Sequence, residues 1–321
     1  MSISLAVDLR SNPVEWDVFI ATQPGFKIAL DGYVYGGPKF VMTKEGPYAN
    51  FNHHEEVDRL ATRATCAQVL LAIRQGLFSS FRKNNEPTAT VFVNDCDEDV
   101  CLSWWLLNNH VLAQNTINPL INKLVSMEDS MDTTGGSYPV CSDLPFLSEM
   151  AWIFEPYRQF RSSGRLGQRN SYEYMNVIES VGYRITAYVM GHGRSVALDT
   201  SYSILNQGSG WHMVSEEGAH ARNAMFQAGI RSFVSVSKKS ENAWTYTVGK
   251  FSQFITTFDI PQIMNALNEA ERRKRSVNDL LGDRWGGSNI IGGSPRVSGS
   301  VLTPREVFDT VSSVVANTTT H

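Results

Sequence analysis

The order of strand-like and helix-like segments in this sequence predicts an α/β protein with a parallel sheet. The run ATVFV (89–93) is typical of a short buried strand, an acidic stretch follows it directly, and VCLSWWLL (100–107) continues as an apolar helix. A chain of 321 residues is long enough for about two domains. Because the pattern changes to strands after about residue 195, we expect one domain over 1–192 and a smaller α/β domain over 193–321.

Local patterns assign the remaining elements along the chain. Asn118 as a cap and Pro119 at the first helical position predict a helix that ends at Met131. A second helix is expected over 146–155, ended by Pro156, whose backbone has no amide hydrogen. The other expected strands are 16–23, 26–30, 232–237 and 243–249, with a hairpin over 33–42, and the other expected helices are 55–78, 171–190, 261–275 and a short one from Pro304.

Composition and charge narrow the class of protein. Hydrophobic residues make up 42% of the chain and charged residues 19%, as in ordinary globular proteins. The net charge of −4 supplies no global basic field, so a polyanionic substrate requires a local basic patch or bound cations. The sequence has no apolar run long enough for a membrane helix and no signal-peptide pattern, so we expect a cytoplasmic protein without a membrane partner. We expect its four cysteines to be reduced.

The first candidate site is the segment Phe51-Asn52-His53-His54-Glu55. Neutral imidazole is a good ligand for Zn, Mn or Fe, so adjacent histidines could place one ring on a cation and leave the other for a substrate. A polar helix cap, with Asn52 at the capping position, is the alternative. This segment by itself leaves both interpretations open.

Acidic residues form further candidates. Residues 94–99 (NDCDED) follow a buried strand, and sites in α/β proteins gather at the carboxyl ends of strands. Residues 128–132 (EDSMD) place carboxylates at a helix end, where the helix dipole disfavours them. A divalent cation would offset the repulsion among these groups, and solvated surface acids are the alternative. Asp31 follows a strand and precedes a glycine, which on its own indicates a turn residue.

Two other segments indicate anion binding. In the glycine-rich stretch 285–300, backbone amides could approach an anion and Arg296 could bind phosphate through two hydrogen bonds. A flexible loop is the alternative. A basic run contains Arg158, Arg161, Arg165 and Arg169. The alternative to anion binding here is a solvated surface segment.

Taken in order, these segments resemble the DHH phosphoesterase superfamily, and within it the melanocyte-proliferating-gene branch of metal-dependent exonucleases. The stretch ALDGYVYGGPKFVMTKEGPYANFNHHE (29–55) follows that branch's plan of an aspartate-glycine strand end, a hairpin and an F-D-H-H-Q motif. Cys96-Asp97-Glu98 matches its cysteine-Asp-Glu motif, and residues 128–135 match its I-D-x-I-D-N-G motif. GGSPRVSG (292–299) matches its C-terminal glycine-rich loop. The resemblance covers most of the chain, but through short motifs.

The resemblance implies a DHH-like metal-binding catalytic domain followed by a smaller substrate-binding domain. Asp31 would bridge two cations, and His54 would act at the scissile phosphate, with Asn52 beside it. The other implied metal ligands are His53, Asp95, Asp97 and Asp129. The implied substrate-binding residues are Gly292, Gly293, Ser294 and Arg296.

Three positions depart from the family pattern. Asn52 stands where the family has an aspartate that orients the histidine, so the imidazole would be less basic. The acidic motif at 95–99 follows the histidine motif instead of preceding it, and Ser294 replaces a histidine of the glycine loop. These departures motivate an alternative function, in which a catalytically degenerate domain binds a nucleotide or a protein partner.

The function that the resemblance implies is metal-dependent hydrolysis of a phosphoester or phosphodiester. Two cations about 3.5–4 Å apart would polarise the phosphoryl group. Oxygen-rich ligands with imidazole suit Mn²⁺ best, with Mg²⁺ or Zn²⁺ as alternatives. We expect the substrate to be a phosphorylated small molecule or a short oligonucleotide. An exonuclease that acts on longer nucleic acid would need a positively charged channel. The sequence does not determine the oligomeric state, and a homo-oligomer is possible.

Overall fold

The computed structural model describes residues 2–22, 24–58, 60–136, 138, 140–141, 144–275 and 283–318. Internal contacts divide the chain into two units. The first contains Met1–Thr133 and Pro145–Val196, and the second contains Thr134–Leu144 and Ala197–His321. The division therefore falls at residues 196/197, and the segment 134–144 belongs to the second unit. None of the described helices is long and apolar enough to cross a bilayer.

The first unit is an α/β structure. Its strands are β1 (Ser2–Val7), β2 (Lys27–Leu30), β3 (Lys39–Thr43), β4 (Gly46–Phe51), β5 (Arg82–Lys83) and β6 (Glu86–Val93). Its helices are α1 (Trp16–Ala21), α2 (Thr65–Arg74), α3 (Leu77–Ser80), α4 (Glu98–Asn108), α5 (His110–Ala113), α6 (Pro119–Thr133), α7 (Pro145–Ser162) and α8 (Ser171–Ala187). A short 3₁₀ turn (Arg165–Gln168) precedes α8, and a π turn (Tyr188–His192) follows it.

The main sheet of this unit is largely parallel, which confirms the predicted α/β class. Its strand order is β1-β6-β2-β4-β3, and β5 pairs with β6. The pairs β1/β6, β6/β2 and β2/β4 are parallel, whereas β3 runs antiparallel to β4. Parallel pairing brings the carboxyl ends of β1, β6, β2 and β4 to one edge of the sheet.

Both faces of this sheet are covered, as expected for parallel strands. Ile28 and Leu30 of β2 face a core formed largely by α2, α4, α6, α7 and α8. The alternate residue Ala29 faces a smaller aromatic cluster on the other side, where Phe19 of α1 packs with Tyr33 and Phe92. Side chains of successive strand residues point to opposite faces, which explains the continuous burial of β2.

Three expectations for the amino-terminal region are wrong. Residues 16–21 form helix α1 and not a strand, because Trp16, Phe19 and Ile20 lie at helical spacing and pack together on the aromatic cluster. The helix expected from Glu55 begins only at Thr65, so the histidine motif lies in a loop after β4. Strand β1 was not predicted, and β3 forms its hairpin with β4 and not with 33–37.

The helix after Pro119 is confirmed, and Oδ1 of Asn118 accepts hydrogen bonds from the amides of Leu120 and Ile121. The expected stop at Pro156 is wrong, because α7 continues through it to Ser162. Proline cannot donate to the carbonyl of Trp152, four residues earlier. The guanidinium of Arg184 on α8 donates to that carbonyl instead. The missing helical hydrogen bond is thereby replaced from a neighbouring helix.

The second unit contains a mixed sheet with strand order β11-β12-β10-β9-β8-β7. Its strands are β7 (Tyr202–Gly208), β8 (Trp211–Glu216), β9 (Ser232–Ser240), β10 (Ala243–Lys250), β11 (Gly286–Gly287) and β12 (Ile291–Gly293). Its helices are α9 (Ala221–Gln227), α10 (Ile260–Lys274) and α11 (Pro304–Thr318). Helices α10 and α11 pack on the sheet around the buried Trp211 and Trp285.

Candidate metal centre

The candidate site lies at the carboxyl edge of the parallel strands of the first unit. Asp31 follows β2, and His53 follows β4 by one intervening residue. These strands are direct neighbours, with Leu30 paired to Phe51, so the two side chains emerge beside each other. Sites of α/β proteins are expected at this edge because the loops after the strands converge there.

His53 is completely buried among carboxylates. Its Nε2 lies 2.7 Å from Oδ2 of Asp132, 3.3 Å from Oδ1 of Asp31 and 3.7 Å from Oδ2 of Asp99. Neither ring nitrogen of His53 has a hydrogen-bond partner, and Oδ2 of Asp132 also has none, because the short contact between them lacks hydrogen-bond geometry. Buried polar atoms without hydrogen bonds are rare, and a missing ion is one explanation for them.

Asp99 and Asp132 come from two different helices. Asp99 lies in the first turn of α4, where its oxygens accept the amides of Thr65 and Cys66, each at 2.7 Å. It therefore caps the amino terminus of α2 and is fixed in orientation. Asp132 lies in the last turn of α6, and its side chain is about one third exposed. Two helices and the end of β2 thus deliver three carboxylates to the imidazole that follows β4.

Asp31 and His54 form the outer part of the cluster. Nε2 of His54 lies 2.8 Å from Oδ1 of Asp31, and the His54 side chain is 34% exposed whereas that of Asp31 is buried. Asp31 has a φ of 48°, in the left-handed region that few residues other than glycine adopt. The hydroxyl of Thr65 donates to the same oxygen of Asp31 at 3.1 Å. The exposed ring of His54 is therefore the part of the cluster that faces solvent.

The charges in the cluster shift the pKa values strongly. Burial would raise the pKa of Asp31, but the adjacent His54 and His53 outweigh burial and lower it. Burial would lower the pKa of His53, but Asp132 and Asp31 raise it to about 11. Burial raises the pKa of Asp99 to about 7, and the nearby Asp31 and Asp132 carboxylates add to this rise. The site thus concentrates negative charge, which favours protonated histidines or a bound cation.

Two further carboxylates extend the acidic environment. Glu128 is 3% exposed, its Oε2 has no hydrogen-bond partner, and burial raises its pKa well above the usual range. Burial and the neighbouring Asp31 likewise raise the pKa of Asp97. Buried carboxylates with raised pKa values are common at functional sites, because the energetic cost persists only where the groups have a role.

The structure distributes the predicted acidic ligands differently from the prediction. Oδ1 of Asp97 accepts the amide of Val100 at 2.9 Å and caps α4, and Oδ1 of Asp95 accepts the amide of Cys96. Oδ1 of Asp129 accepts the amide of Ala64 at 2.6 Å, next to the start of α2. The atoms grouped around His53 belong instead to Asp99 and Asp132.

Helical periodicity is the sequence feature that could have indicated Asp132 as a site residue. On α6 the residues Ile121, Leu124, Val125 and Glu128 are buried at spacings of three and four. Position 132 continues this face four residues after Glu128, but position 129 lies four residues after Val125, so spacing alone does not separate the two. Asp99 likewise could not be chosen over Asp97, since that choice depends on which aspartate caps α4.

Asn52 organises the loop and does not contact the imidazole of His53. Its amide nitrogen donates to the carbonyl of Gly36 at 2.9 Å, that of Val34 at 3.3 Å and Oε2 of Glu55 at 2.8 Å. Its Oδ1 accepts the amide of His54 at 3.1 Å. The side chain is completely buried. This position requires a donor, which asparagine supplies and a carboxylate does not.

The predicted glycine-rich loop is part of the second unit's sheet. Gly292 and Gly293 form β12 between β10 and β11, and a Cβ at Gly292 would lie 2.5 Å from Cε of Met264. The buried Ser294 exchanges hydrogen bonds with the backbone of Tyr246, through its own amide and its Oγ. Arg296 is the exposed member of the predicted set. The close packing of a strand explains these glycines without an anion.

The chemistry of the donor set fits a metal ion. The ligand atoms of Asp31, His53 and His54 lie within 4.8 Å of one another, and so do those of His53, Asp99 and Asp132. These groups, of which Asp31, His53 and Asp99 are buried, could hold a metal ion through carboxylate oxygens and imidazole nitrogens, which are common ligands of divalent cations. The chain matches no protein-family model, and no curated protein matches it.

Proposed function

We propose that this chain is a metal-dependent phosphoesterase, whose cation is held by Asp31, His53, Asp99 and Asp132. The proposal rests on the environment of His53. Its imidazole is fully buried, neither ring nitrogen makes a hydrogen bond, and three carboxylates lie within 4 Å of Nε2. The resemblance of the Asp31 and His53-His54 segments to DHH phosphoesterases supports the reaction class. Mn²⁺ is the cation that we favour, because the ligands are mainly oxygens with imidazole.

A second cation would have to share a carboxylate with the first. One imidazole nitrogen has one lone pair, so Nε2 of His53 serves one cation only. Asp31 contacts both histidines, and its two oxygens make it the carboxylate that two cations could share. We therefore propose one tightly bound cation at His53 and a second, weaker one that shares Asp31 with it.

The residues around the cation have separable roles in phosphoester hydrolysis. A divalent cation held at this position supplies a Lewis acid for a phosphoryl oxygen and activates water. His54 is partly exposed, and although burial opposes it, the facing Asp31 raises the pKa of His54, so the ring is placed to donate a proton to the leaving oxygen. Asp31 fixes this ring, and Thr65 fixes Asp31.

Metal content and hydrolysis of bis(4-nitrophenyl) phosphate test the proposal. Wild-type protein should bind Mn²⁺ in near-stoichiometric amount and hydrolyse the ester. His53→Gln and Asp132→Asn should each weaken binding by at least about 100-fold and abolish turnover. Asp309→Asn is the matched control, since Asp309 only pairs with Arg305 on the exposed surface of α11.

Two other outcomes of this experiment would count against the proposed function or the proposed site. Metal binding without turnover of any phosphoester would favour the alternative of a nucleotide-binding or partner-binding domain. A wild-type protein that binds no divalent cation at neutral pH, while folded, would contradict the proposed site.

A further inference from the structure

Two arginines, Arg10 and Arg169, lie at the β1 end of the same sheet edge. Asp8 and Arg10 follow β1, and the Asp8 amide continues the β1–β6 pairing by donating to the carbonyl of Val93. Strand β6 separates β1 from β2. Because neighbouring strands lie about 4.8 Å apart, Asp8 stands about 10 Å from Asp31 along the edge.

The side chain of Arg10 is held in place. Its Nε donates to Oδ2 of Asp8 at 2.6 Å, and the hydroxyl of Tyr33 donates to the same oxygen at 2.7 Å. Tyr33 follows Asp31 by two residues, so it links the basic end of the edge to the acidic end. The Arg10 side chain is nevertheless 50% exposed, and its guanidinium carbon lies 5.9 Å from the Tyr33 ring centroid.

Arg169 joins Arg10 from the segment before α8. Its guanidinium donates a hydrogen bond to the carbonyl of Arg10, and Arg169 is exposed. Its backbone φ is 52°, again in the left-handed region that residues other than glycine seldom adopt. Burial raises the pKa of Tyr174 to about 12, and nearby Asp95 adds to this rise while Arg169 opposes it. Arg169 thus lies near the end of β6.

We propose that Arg10 and Arg169 form a second anion-binding subsite at the β1 end of the sheet edge, which takes a phosphate of the substrate other than the one at His53. The two guanidinium groups outnumber the single carboxylate of Asp8, so the β1 end of the edge carries a net positive charge. Guanidinium matches phosphate through paired hydrogen bonds. Asp95 lies between the two ends, so the part of the substrate that faces it is uncharged. The subsite rests on the proposed function and selects a substrate with two separated phosphates.

Paired dinucleotides test this subsite. We would compare the thymidine dinucleotide that carries a 5′-phosphate with the one that ends in a 5′-hydroxyl, since both contain the same internal phosphodiester. The phosphorylated form should have a kcat/KM at least about 10-fold higher, the gain expected from charged hydrogen bonds. Arg10→Gln and Arg169→Gln should each reduce this advantage to about 2-fold or less. Arg10→Lys should recover part of it.

Arg305→Gln, in an exposed pair on α11, is the matched control and should leave the advantage unchanged. An advantage that persists in both Arg10→Gln and Arg169→Gln would overturn the subsite. If neither dinucleotide is hydrolysed, the proposed function fails, and calorimetric binding of the same two dinucleotides then decides. Preferential binding of the phosphorylated form that is lost in Arg10→Gln supports the subsite, and equal binding overturns it.

Discussion

The hydroxyl of Thr65 donates a hydrogen bond to Oδ1 of Asp31 at 3.1 Å. The amide of Thr65 also donates to Oδ2 of Asp99 at 2.7 Å, so one residue at the start of α2 holds two carboxylates of the cluster. Partners that orient metal ligands typically contribute 10- to 100-fold to metal affinity.

Thr65→Val removes the hydroxyl but keeps the backbone amide. We expect it to weaken Mn²⁺ binding by about 10- to 100-fold, because Asp31 loses the group that fixes its rotamer. Calorimetric titration measures the affinity. Thr310→Val on α11, whose hydroxyl donates to the Glu306 carbonyl, should have no effect. Unchanged affinity in Thr65→Val would show that Asp31 needs no such support.

Asn52→Asp introduces the aspartate that DHH phosphoesterases have in the motif that this segment resembles, yet we expect it to destabilise the protein. A carboxylate at this position would face the carbonyls of Val34 and Gly36 and the carboxylate of Glu55, with no donor to offer. A buried charge without a partner should lower the free energy of unfolding by about 3 kcal/mol. Thermal unfolding and the hydrolysis assay check this, with Glu55→Gln in the Asn52→Asp background as a partial rescue. Higher activity at unchanged stability would contradict it.

The sequence predicts Asp31 by its place after a strand and His53 by its histidine motif. Strand β4, which precedes His53, was not predicted, so the parallel pairing that brings the two residues together could not be foreseen. The acidic segments 94–99 and 128–132 were also recognisable, but the choice among their members depends on where α4 begins and which face α6 buries. Those details depend on tertiary contacts, such as the cap that Asp99 of α4 forms on α2. Helix α7 illustrates the same limit, because a side chain from α8 compensates its proline.

Arg184→Met should expose that compensation. The variant loses the donor to the Trp152 carbonyl, the ion pair with Glu155 at 2.7 Å and the contact with the Trp152 ring. We expect a loss of about 2 kcal/mol in the free energy of unfolding. Pro156→Ala introduces an amide that can donate to the same carbonyl, so the loss should be smaller in that background. A double-mutant cycle measured by urea unfolding tests the coupling, and strictly additive effects would exclude it.

Glu306 gives a prediction for the pH dependence of stability. It accepts the amide and hydroxyl of Thr303, each at 2.8 Å, in a capping box at the start of α11, and it pairs with Lys274 of α10 at 2.6 Å. Lys274, followed by the Thr303 amide, lowers the pKa of Glu306 to about 2. A lowered folded-state pKa means that the stabilisation is complete above the unfolded-state value of about 4.3 and is lost as pH falls towards 2.

Glu306→Gln should therefore lower the free energy of unfolding at pH 7 by about 1 kcal/mol, a value reduced for the partial exposure of the pair. The difference from wild type should shrink steadily as pH falls from 5 to 3, because wild type loses its carboxylate contribution there and the variant has none to lose. Urea unfolding followed by tryptophan fluorescence measures the difference. Glu269→Gln is the control, since Glu269 pairs only weakly with Arg273 at 4.0 Å, and it should show no such trend. A difference that stays constant with pH would mean that the cap, and not the charge, carries the effect.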